Sequence, residues 1–428
     1  MKKLLENILG NIARAIIKKY QPLVIGITGS AGKTSTKQAI FAALAGTYEV
    51  RATPKNYNNE LGLPLTVIGG KAAGKNIFAW LVIICRGCSY LVFDRKFPKM
   101  LVLEMGADRR GDLAKLAAIA PPRLSVITSI GEAHIEYFGS LGAIAEEKET
   151  LVKVLPADGY AVLNADDPRV FSMRSVTKAK VVTYGLTGTA DIRASGLEYI
   201  RDPRSVAVLG MRLAVPASSG NLIVDLPGVV GRGHALAALA ALAAAKILGV
   251  PLAAAAEGLR NYAPPPGRLR LIPGVKSTVI IDDTYNASPG AMHEALEVLK
   301  DFTVPERSRR IALLGDMREL GGFTERAHRE VGEYIAKNNI DLFVAVGEAM
   351  HEAIEAAKQN GMNEDRVIHM ENAAAAARFL EERLHPGDVI LIKGSQNTIR
   401  LERAVKALMA EPERAEELLC RQGPEWEN

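Results

Sequence analysis

LVIGITGSAGKTST, Leu23–Thr36, decides the fold of this chain. Its first six residues are an apolar, β-branched run, and a helical pattern begins near Lys33. Between them, Gly29 and Gly32 bracket a tight turn. Glycine accepts positive φ and lets backbone N–H groups approach an anion, and the start of the following helix adds a favourable dipole. Strand, glycine turn and helix in this order predict a phosphate cradle over Gly29, Ser30, Ala31, Gly32, Lys33, Thr34 and Ser35. Lys33 would reach the β- and γ-phosphates of a nucleotide, and Thr34 would offer its hydroxyl to Mg²⁺. The stretch is GxxGKT, shorter than the strict P-loop pattern, because Ile27 stands where the longer form has glycine. The competing reading is a glycine turn that only caps a helix. The strand before it and the GKT triplet together favour nucleotide binding.

Outward from this stretch, β-rich runs alternate with helical patterns. Strands are predicted at 101–105 and 125–130 and a helix over 142–155, and an alanine-rich helix over 233–250 ends in Gly249. Such alternation implies a parallel sheet faced by helices. Tyr262-Ala-Pro-Pro-Pro-Gly267 interrupts it, since three prolines stop a helix and stiffen a connection. The alternation then restarts, with strands at 278–283, 309–315, 341–347 and 388–394. The fold class is α/β: a P-loop central domain with a mostly parallel sheet, then a Rossmann-like C-terminal domain. A chain of 428 residues is too long for one ordinary core.

The 53 basic and 48 acidic residues leave a net charge of +5, with no block of like charge that would suggest a nucleic-acid arm. Three cysteines, Cys85, Cys88 and Cys420, argue against a disulfide framework and for a reducing, cytoplasmic compartment. Cys85 and Cys88 have CxxC spacing, but no second pair exists and the surroundings are apolar, so buried thiols are expected. The opening MKKLLENILGNIARAIIKKY is not a signal peptide; Leu4, Leu5, Ile8, Ile12 and Ile16 recur at helical spacing among charges. Packing of this amphipathic helix on the protein body is favoured over a membrane-surface role for Lys2, Lys3, Lys18 and Lys19. Ile77–Phe93 is apolar apart from Arg86 near its centre, which predicts a buried or interface-lying segment rather than a span.

Further motifs follow the GKTST stretch in order: NYNNELGLPLT (56–66), LVLEMGADRRGD (101–112), SIGEAHIEYFGS (129–140), AEEKETL (145–151), NADDP (164–168), DDTYNASP (282–289), LLGDMRELG (313–321) and KGS (393–395). Together they resemble the ATP-dependent Mur ligases, most of all the D-alanyl-D-alanine-adding, MurF-type branch, across about residues 22–410. The resemblance implies an ADP-forming ligase of peptidoglycan synthesis that activates a carboxylate as an acyl phosphate for attack by an amine. ATP and Mg²⁺ are the implied cofactors, and a muramyl-peptide-like acid and an amino acid or dipeptide are the implied partners of a monomer. Its expected division is an amphipathic helix over 1–22, an ATP-binding domain over 23–264, a ligase domain over 265–412 and a loosely attached tail over 413–428.

Residue roles carry over with the motifs. Glu104 ends an apolar strand, where parallel strands present ligands; by resemblance it binds Mg²⁺, as does His134. Lys148 matches the lysine that the family carbamylates, although Glu146 and Glu147 replace the usual small neighbours. Arg268 is implied to reach the γ-phosphate from the last domain, Asp283 to hold the ribose, and Tyr285 and Asn286 to line the same cleft. Asn58 and Asn59 are implied to lie over the muramyl substrate. Lys393 and Ser395 would place the amine, and Asp316 and Glu319 would lie near the dipeptide. His234 stands where an asparagine often contacts adenine.

The pattern breaks at the front. The family usually carries an N-terminal domain that grips the uridine diphosphate, and only about 22 residues precede the first strand here. By this reading the grip is missing or another segment supplies it, with the apolar insertion 71–98 as a candidate. Alternatives are a Mur-type ligase with another acid and amine (pseudomurein-type, lipid-linked muropeptide or polyglutamate) or a non-catalytic ATP-binding module. Scattered cysteines argue against the zinc ribbon of the amidotransferase-associated members.

Overall fold

The computed structural model describes residues 2–54, 57–74, 76–93, 95–131, 135–203, 208–217, 220–302, 304–396, 399–423 and 426. The chain forms two compact units, one of Met1–Leu197, Leu213–Asp225 and Gly233–Ala263, the other of Glu198–Arg212, Leu226–Arg232 and Pro264–Asn428.

The first unit opens with α1 (Lys2–Tyr20), β1 (Leu23–Thr28), α2 (Lys33–Leu44), β2 (Val50–Ala52), α3 (Gly62–Ile68), α4 (Ile77–Val92), β3 (Met100–Glu104) and α5 (Asp112–Ile119). It continues through β4 (Leu124–Ile127), α6 (Ile135–Phe138), α7 (Leu141–Lys153), β5 (Tyr160–Asn164), α8 (Pro168–Ser172), β6 (Lys180–Gly185) and β7 (Ile192–Arg193). The strands form one sheet in the order β2-β3-β1-β4-β5-β6-β7, and every neighbouring pair is parallel. Runs such as Leu23–Thr28 and Met100–Glu104 are buried on both faces, which is why they read as continuous apolar stretches rather than alternating ones. The order reverses at β1, which lies between β3 and β4. Ligands of open parallel sheets bind at such a switch point, outside the carboxyl ends of the strands.

The predicted first helix forms, and Leu9, Ala13 and Ile16 on it are fully buried. Leu4 and Ile8, read as part of the apolar stripe, are instead 64% and 37% exposed. The predicted strand 125–130 stops at Ile127, because Thr128–Gly131 turn to hold the glycine loop. Cys85 and Cys88 are exposed on α4, not buried: they lie on the helix face opposite Ile83, Gly87 and Tyr90.

Next, β8 (Gly196–Arg201), β9 (Val208–Ala217) and β10 (Gly220–Pro227) form a three-stranded sheet in the order β10-β9-β8, an element the sequence reading omitted. After α9 (Arg232–Ile247) and α10 (Leu252–Leu259) comes β11 (Arg270–Gly274). The second unit then runs β12 (Thr278–Asp282), α11 (Pro289–Asp301), β13 (Arg310–Gly315), α12 (Thr324–Lys337), β14 (Leu342–Val346) and α13 (Met350–Gln359). It ends with β15 (Val367–Met370), α14 (Ala373–Arg383), β16 (Val389–Lys393), α15 (Glu402–Leu408) and α16 (Ala415–Leu418). Its sheet has the order β11-β12-β16-β13-β14-β15; β11 is antiparallel and the other pairings are parallel. Apolar clusters cover both faces. The tail is not loose: Ala415, Leu418 and Leu419 are buried in one of these clusters. Arg421 pairs with the fully buried Glu402 at 3.1 Å and donates to the carbonyl oxygens of Thr284 and Tyr285.

Candidate active site

In the first unit the glycine loop joins β1 to α2. Gly29 has φ 145° and Gly32 has φ 79°. A Cβ on Gly29 would lie 2.0 Å from Thr128 Oγ1, so only glycine fits between the loop and the strip after β4. That strip clamps the loop. Ser30 N donates to Ser129 O at 2.8 Å, Gly131 N to Ser30 Oγ at 2.9 Å and Thr128 Oγ1 to Ala31 O at 2.5 Å. The NADDP segment braces the strip in turn: Asn164 Nδ2 donates to Thr128 O at 2.8 Å, and Asp167 accepts from Ile130 N at 2.7 Å. Lys33 folds back, its Nζ donating to Gly29 O at 2.7 Å and Ser30 O at 3.1 Å. The ammonium is thus held over the loop at the amino end of a 12-residue helix. Thr34 is half-buried and Ser35 buried in the first turn of α2.

Glu104 sits beside the loop because β3 pairs with β1 in a register that sets Ile27 against Glu104. Its carboxylate is 2% exposed. Oε1 accepts from Asn58 Nδ2 at 3.1 Å, and Oε2 lies 3.4 Å from the Nζ of Lys37, itself fully buried. Burial lowers the pKa of Lys37 and the Glu104 charge opposes that shift. Among the described residues, two buried side-chain oxygens lack a hydrogen-bond partner, Thr28 Oγ1 and Glu104 Oε2. Both lie at the carboxyl ends of adjacent central strands, against the glycine loop. Buried polar atoms are rarely left unmatched. A hard cation carried by a nucleotide phosphate wants such oxygen donors, so this cradle and donor set fit ATP with Mg²⁺.

Lys148, on α7, is 3% exposed. Burial, and then the charge of Lys33, push its pKa down from 10.5 to about 8. Its neighbour Glu147 accepts from Gly111 N and Leu113 N, both at 2.8 Å, and so caps α5. Asn59 leads into α3, its Oδ1 accepting from Gly62 N at 2.9 Å and Leu61 N at 3.2 Å. His234 is buried on α9, its Nδ1 2.7 Å from the Tyr262 hydroxyl. His134 lies outside the described residues.

In the second unit, two buried aspartates at the end of β12 hold the segment that follows the prolines. Asp282 Oδ2 accepts from Gly267 N at 3.0 Å, and Asp283 Oδ1 accepts from Leu269 N at 3.2 Å. Gly267, at φ 71°, passes so close to Tyr285 that a Cβ would lie 2.7 Å from its backbone nitrogen. Arg268 projects between these anchors and stacks on Tyr285, 4.2 Å from the ring centroid. Burial pushes Asp282 up to about 6 and also raises Asp283, opposed there by Lys393. Lys393 is itself buried, donating to Asp283 Oδ2 at 2.6 Å and Asn286 O at 2.9 Å. Ser395 Oγ accepts from Arg318 N at 3.0 Å. Lys393 and Ser395 thus lie against Asp283, Asn286 and the Arg318 loop. Beyond them, a cavity of about 400 Å³ is lined by Asp316, Arg318, Glu319, Thr324 and Glu348, among others. Asp316 accepts from Met350 N at 3.1 Å, at the start of α13. Fully buried His328 shapes the wall, accepting from Met317 N at Nε2, 3.0 Å away.

Residues 27–80 and 89–245 match the Mur ligase middle domain, and residues 267–396 match the Mur ligase glutamate ligase domain. The chain is 35% identical over 407 residues to the UDP-N-acetylmuramoyl-tripeptide–D-alanyl-D-alanine ligase of Mycobacterium tuberculosis (strain CDC 1551 / Oshkosh), covering 91% of this chain and 73% of that one. The chain belongs to the Mur ligase family. The Bacillus subtilis (strain 168) ligase of the same name is 31% identical, with 94% of this Mur ligase and 79% of the relative covered. The crystal structure of the MurF ligase of Thermotoga maritima in complex with ADP superposes with a TM-score of 0.75 at 28% identity, covering 96% of this chain and 84% of that chain.

The first unit of this Mur ligase brings together the glycine loop, Glu104 and Asn58, with Lys148 close enough for Lys33 to depress its pKa. The second gathers Arg268, Asp283, Tyr285, Asn286, Lys393 and Ser395 around the end of β12. Sequence reasoning missed Lys37, Thr128 and Asp282. Lys37 lies one helical turn after Lys33, a position that could have signalled a second inward-facing cation. Asp282 is the first residue of the quoted DDTYN motif, but only its partner was singled out.

Proposed function

We propose that this Mur ligase forms an amide bond at the expense of ATP, joining D-alanyl-D-alanine to a UDP-N-acetylmuramoyl-tripeptide-like acid in the cytoplasm. The observation that carries the reading is the pair of buried oxygens without a hydrogen bond, Thr28 Oγ1 and Glu104 Oε2, the latter facing the Lys37 ammonium at 3.4 Å, beside a loop whose Gly29 admits no Cβ. The names of the relatives support the substrate pair. Three free cysteines, two of them exposed, support a reducing compartment. No helix among the described residues is long and apolar enough to cross a membrane.

When bound, ATP supplies the phosphoryl group that activates the acid as an acyl phosphate, and Mg²⁺ would offset charge on its phosphate oxygens. The chain's own residues then have separate tasks. The loop and the amino end of α2 bind phosphate, and Lys33 exchanges its carbonyl partners for phosphate oxygens. Glu104, oriented by Asn58 and held by Lys37, and Thr34 would present oxygens to the cation. Lys148, with a pKa near 8, is partly neutral under physiological conditions. A neutral amine can attack CO₂: the N–C bond forms, a proton leaves to solvent, and an anionic carbamate oxygen replaces the ammonium. Arg268 offers a guanidinium to phosphate charge. Asp283 and Tyr285 receive the nucleoside, and the Asp316–Glu319 cavity receives the amine.

A mass-spectrometric ligation assay tests this. Purified protein with ATP, Mg²⁺, UDP-N-acetylmuramoyl-tripeptide and D-alanyl-D-alanine should yield the pentapeptide product. ATP binding without any product would remove this acid and amine as the substrates.

A further inference from the structure

The α4 helix is apolar on both faces. Ile83, Gly87 and Tyr90 are buried against the unit, and Gly87 packs so closely on α1 that a Cβ would lie 2.6 Å from Ile12. The opposite face is not covered. Ile77, Phe78, Leu81, Val82, Val92 and the adjoining Phe93 are each more than half exposed, Phe78 by 80%. These are six of the sixteen large hydrophobic side chains exposed among the described residues, gathered in 17 consecutive positions. A solvated helix carries polar residues on its outer face; this one carries Cys85 and Cys88 between its large apolar residues. Residues 81–88 also fall in the gap of the middle-domain match.

Charge indicates what covers the face. From Gly62 to Lys99 the sequence has six basic residues and one acidic residue, Asp94, an excess of five that equals the net charge of the entire chain. Lys71, Arg86, Arg95 and Lys99 are exposed, before, on and after the helix. On α1, which packs against α4, Lys3 and Lys18 are exposed too. The helix is firmly held. Lys19 Nζ donates to Tyr90 O at 3.2 Å, Leu91 O at 3.3 Å and Phe93 O at 3.3 Å, and Tyr20 Oη donates to Tyr90 O at 2.9 Å. With 16 residues it is about 24 Å long, short of the roughly 30 Å hydrocarbon core, and its inner face is fixed to the protein. An apolar face that cannot span, set among an excess of lysines and arginines, has the composition of a helix that lies in the headgroup region.

We propose that α4 and its basic surroundings dock this Mur ligase on the surface of an anionic lipid bilayer, with Phe78, Leu81, Val82 and Val92 entering the acyl boundary. The proposal is independent of which acid and amine are joined. The test is co-sedimentation of the full chain with vesicles of phosphatidylcholine alone or with about 30% phosphatidylglycerol, the lipid class that carries the required negative charge. Binding to the anionic vesicles should be at least tenfold stronger and fall with added salt. In a Trp426→Phe background, Trp80 on α4 is the sole tryptophan, and its emission should shift to the blue on binding. Phe78→Glu/Leu81→Glu should abolish binding with an unchanged thermal transition, since both side chains are exposed. Lys71→Glu/Arg95→Glu, which leaves the apolar face intact, should weaken binding severalfold and flatten its salt dependence. Equal binding to both vesicles, or binding unaffected by either pair, overturns the proposal. So does a dimer in light scattering that Phe78→Glu/Leu81→Glu dissociates while vesicles are ignored, which would make the face a protein interface.

Discussion

Replacing Lys148 by methionine should stabilise the protein near neutral pH while abolishing ligation. The side chain is 3% exposed, and its pKa is depressed from 10.5 to about 8 by burial and by Lys33. A drop of that size means that keeping the ammonium charged inside the fold costs about 3 kcal/mol, at about 1.4 kcal/mol per tenfold change in proton affinity. Methionine fills similar volume without the charge. The sign of the pH dependence follows. The folded value lies below the unfolded one, so the unfolded chain holds the extra proton between about 8 and 10.5, and wild-type stability rises across that window. The advantage of the variant should therefore be about 2–3 kcal/mol near pH 7 and shrink towards zero near 10.5. Urea unfolding of both proteins in CO₂-free buffer at the two ends of the window measures it. A variant less stable than wild type at pH 7, or a gap that ignores pH, would refute the assignment of a strained buried ammonium.

Other perturbations have defined outcomes. Lys37→Met strands the buried Glu104 carboxylate and should cost about 3–5 kcal/mol in thermal or chemical unfolding; adding Glu104→Gln should recover most of it. Gly29→Ala should reduce ATP affinity more than tenfold in calorimetric titration, because the methyl group would meet Thr128 and spread the loop. Asp282 has its pKa raised from 3.8 to about 6, so stability falls as pH rises through that interval, and Asp282→Asn should flatten the measured slope there.

The parts of this molecule that are local in sequence were legible. The cradle follows from a strand, two glycines and a helix start, and the structure realises each in place, with Gly29 and Gly32 at positive φ. The doubly buried strands read as β-branched runs for the same reason. What stayed hidden depends on long-range packing. Glu104 was visible as a strand end, but its counter-ion Lys37 lies on a helix whose facing partner only the fold decides. Lys393 was visible in the KGS motif, but only the fold shows its ammonium set on Asp283. The three-stranded sheet escaped because strands such as Gly196–Arg201 are largely solvated and lack a buried alternation. Apolar residues all round α4 could not say which face the protein covers, and so the cysteines were expected inside. The charged tail hides Leu418 and Leu419, which fill a cluster whose other members lie far away in sequence.

The most direct test of the account follows one oxygen atom. The muramyl-tripeptide-like acid would be prepared with ¹⁸O in its carboxylate and turned over with ATP, Mg²⁺ and D-alanyl-D-alanine. Activation as an acyl phosphate puts one carboxylate oxygen in the bridge to phosphorus, and attack of the amine at the carbonyl carbon expels it. The account predicts one ¹⁸O in each inorganic phosphate released and one in the new amide. ADP appearing with unlabelled phosphate, or with no amide product, would contradict it.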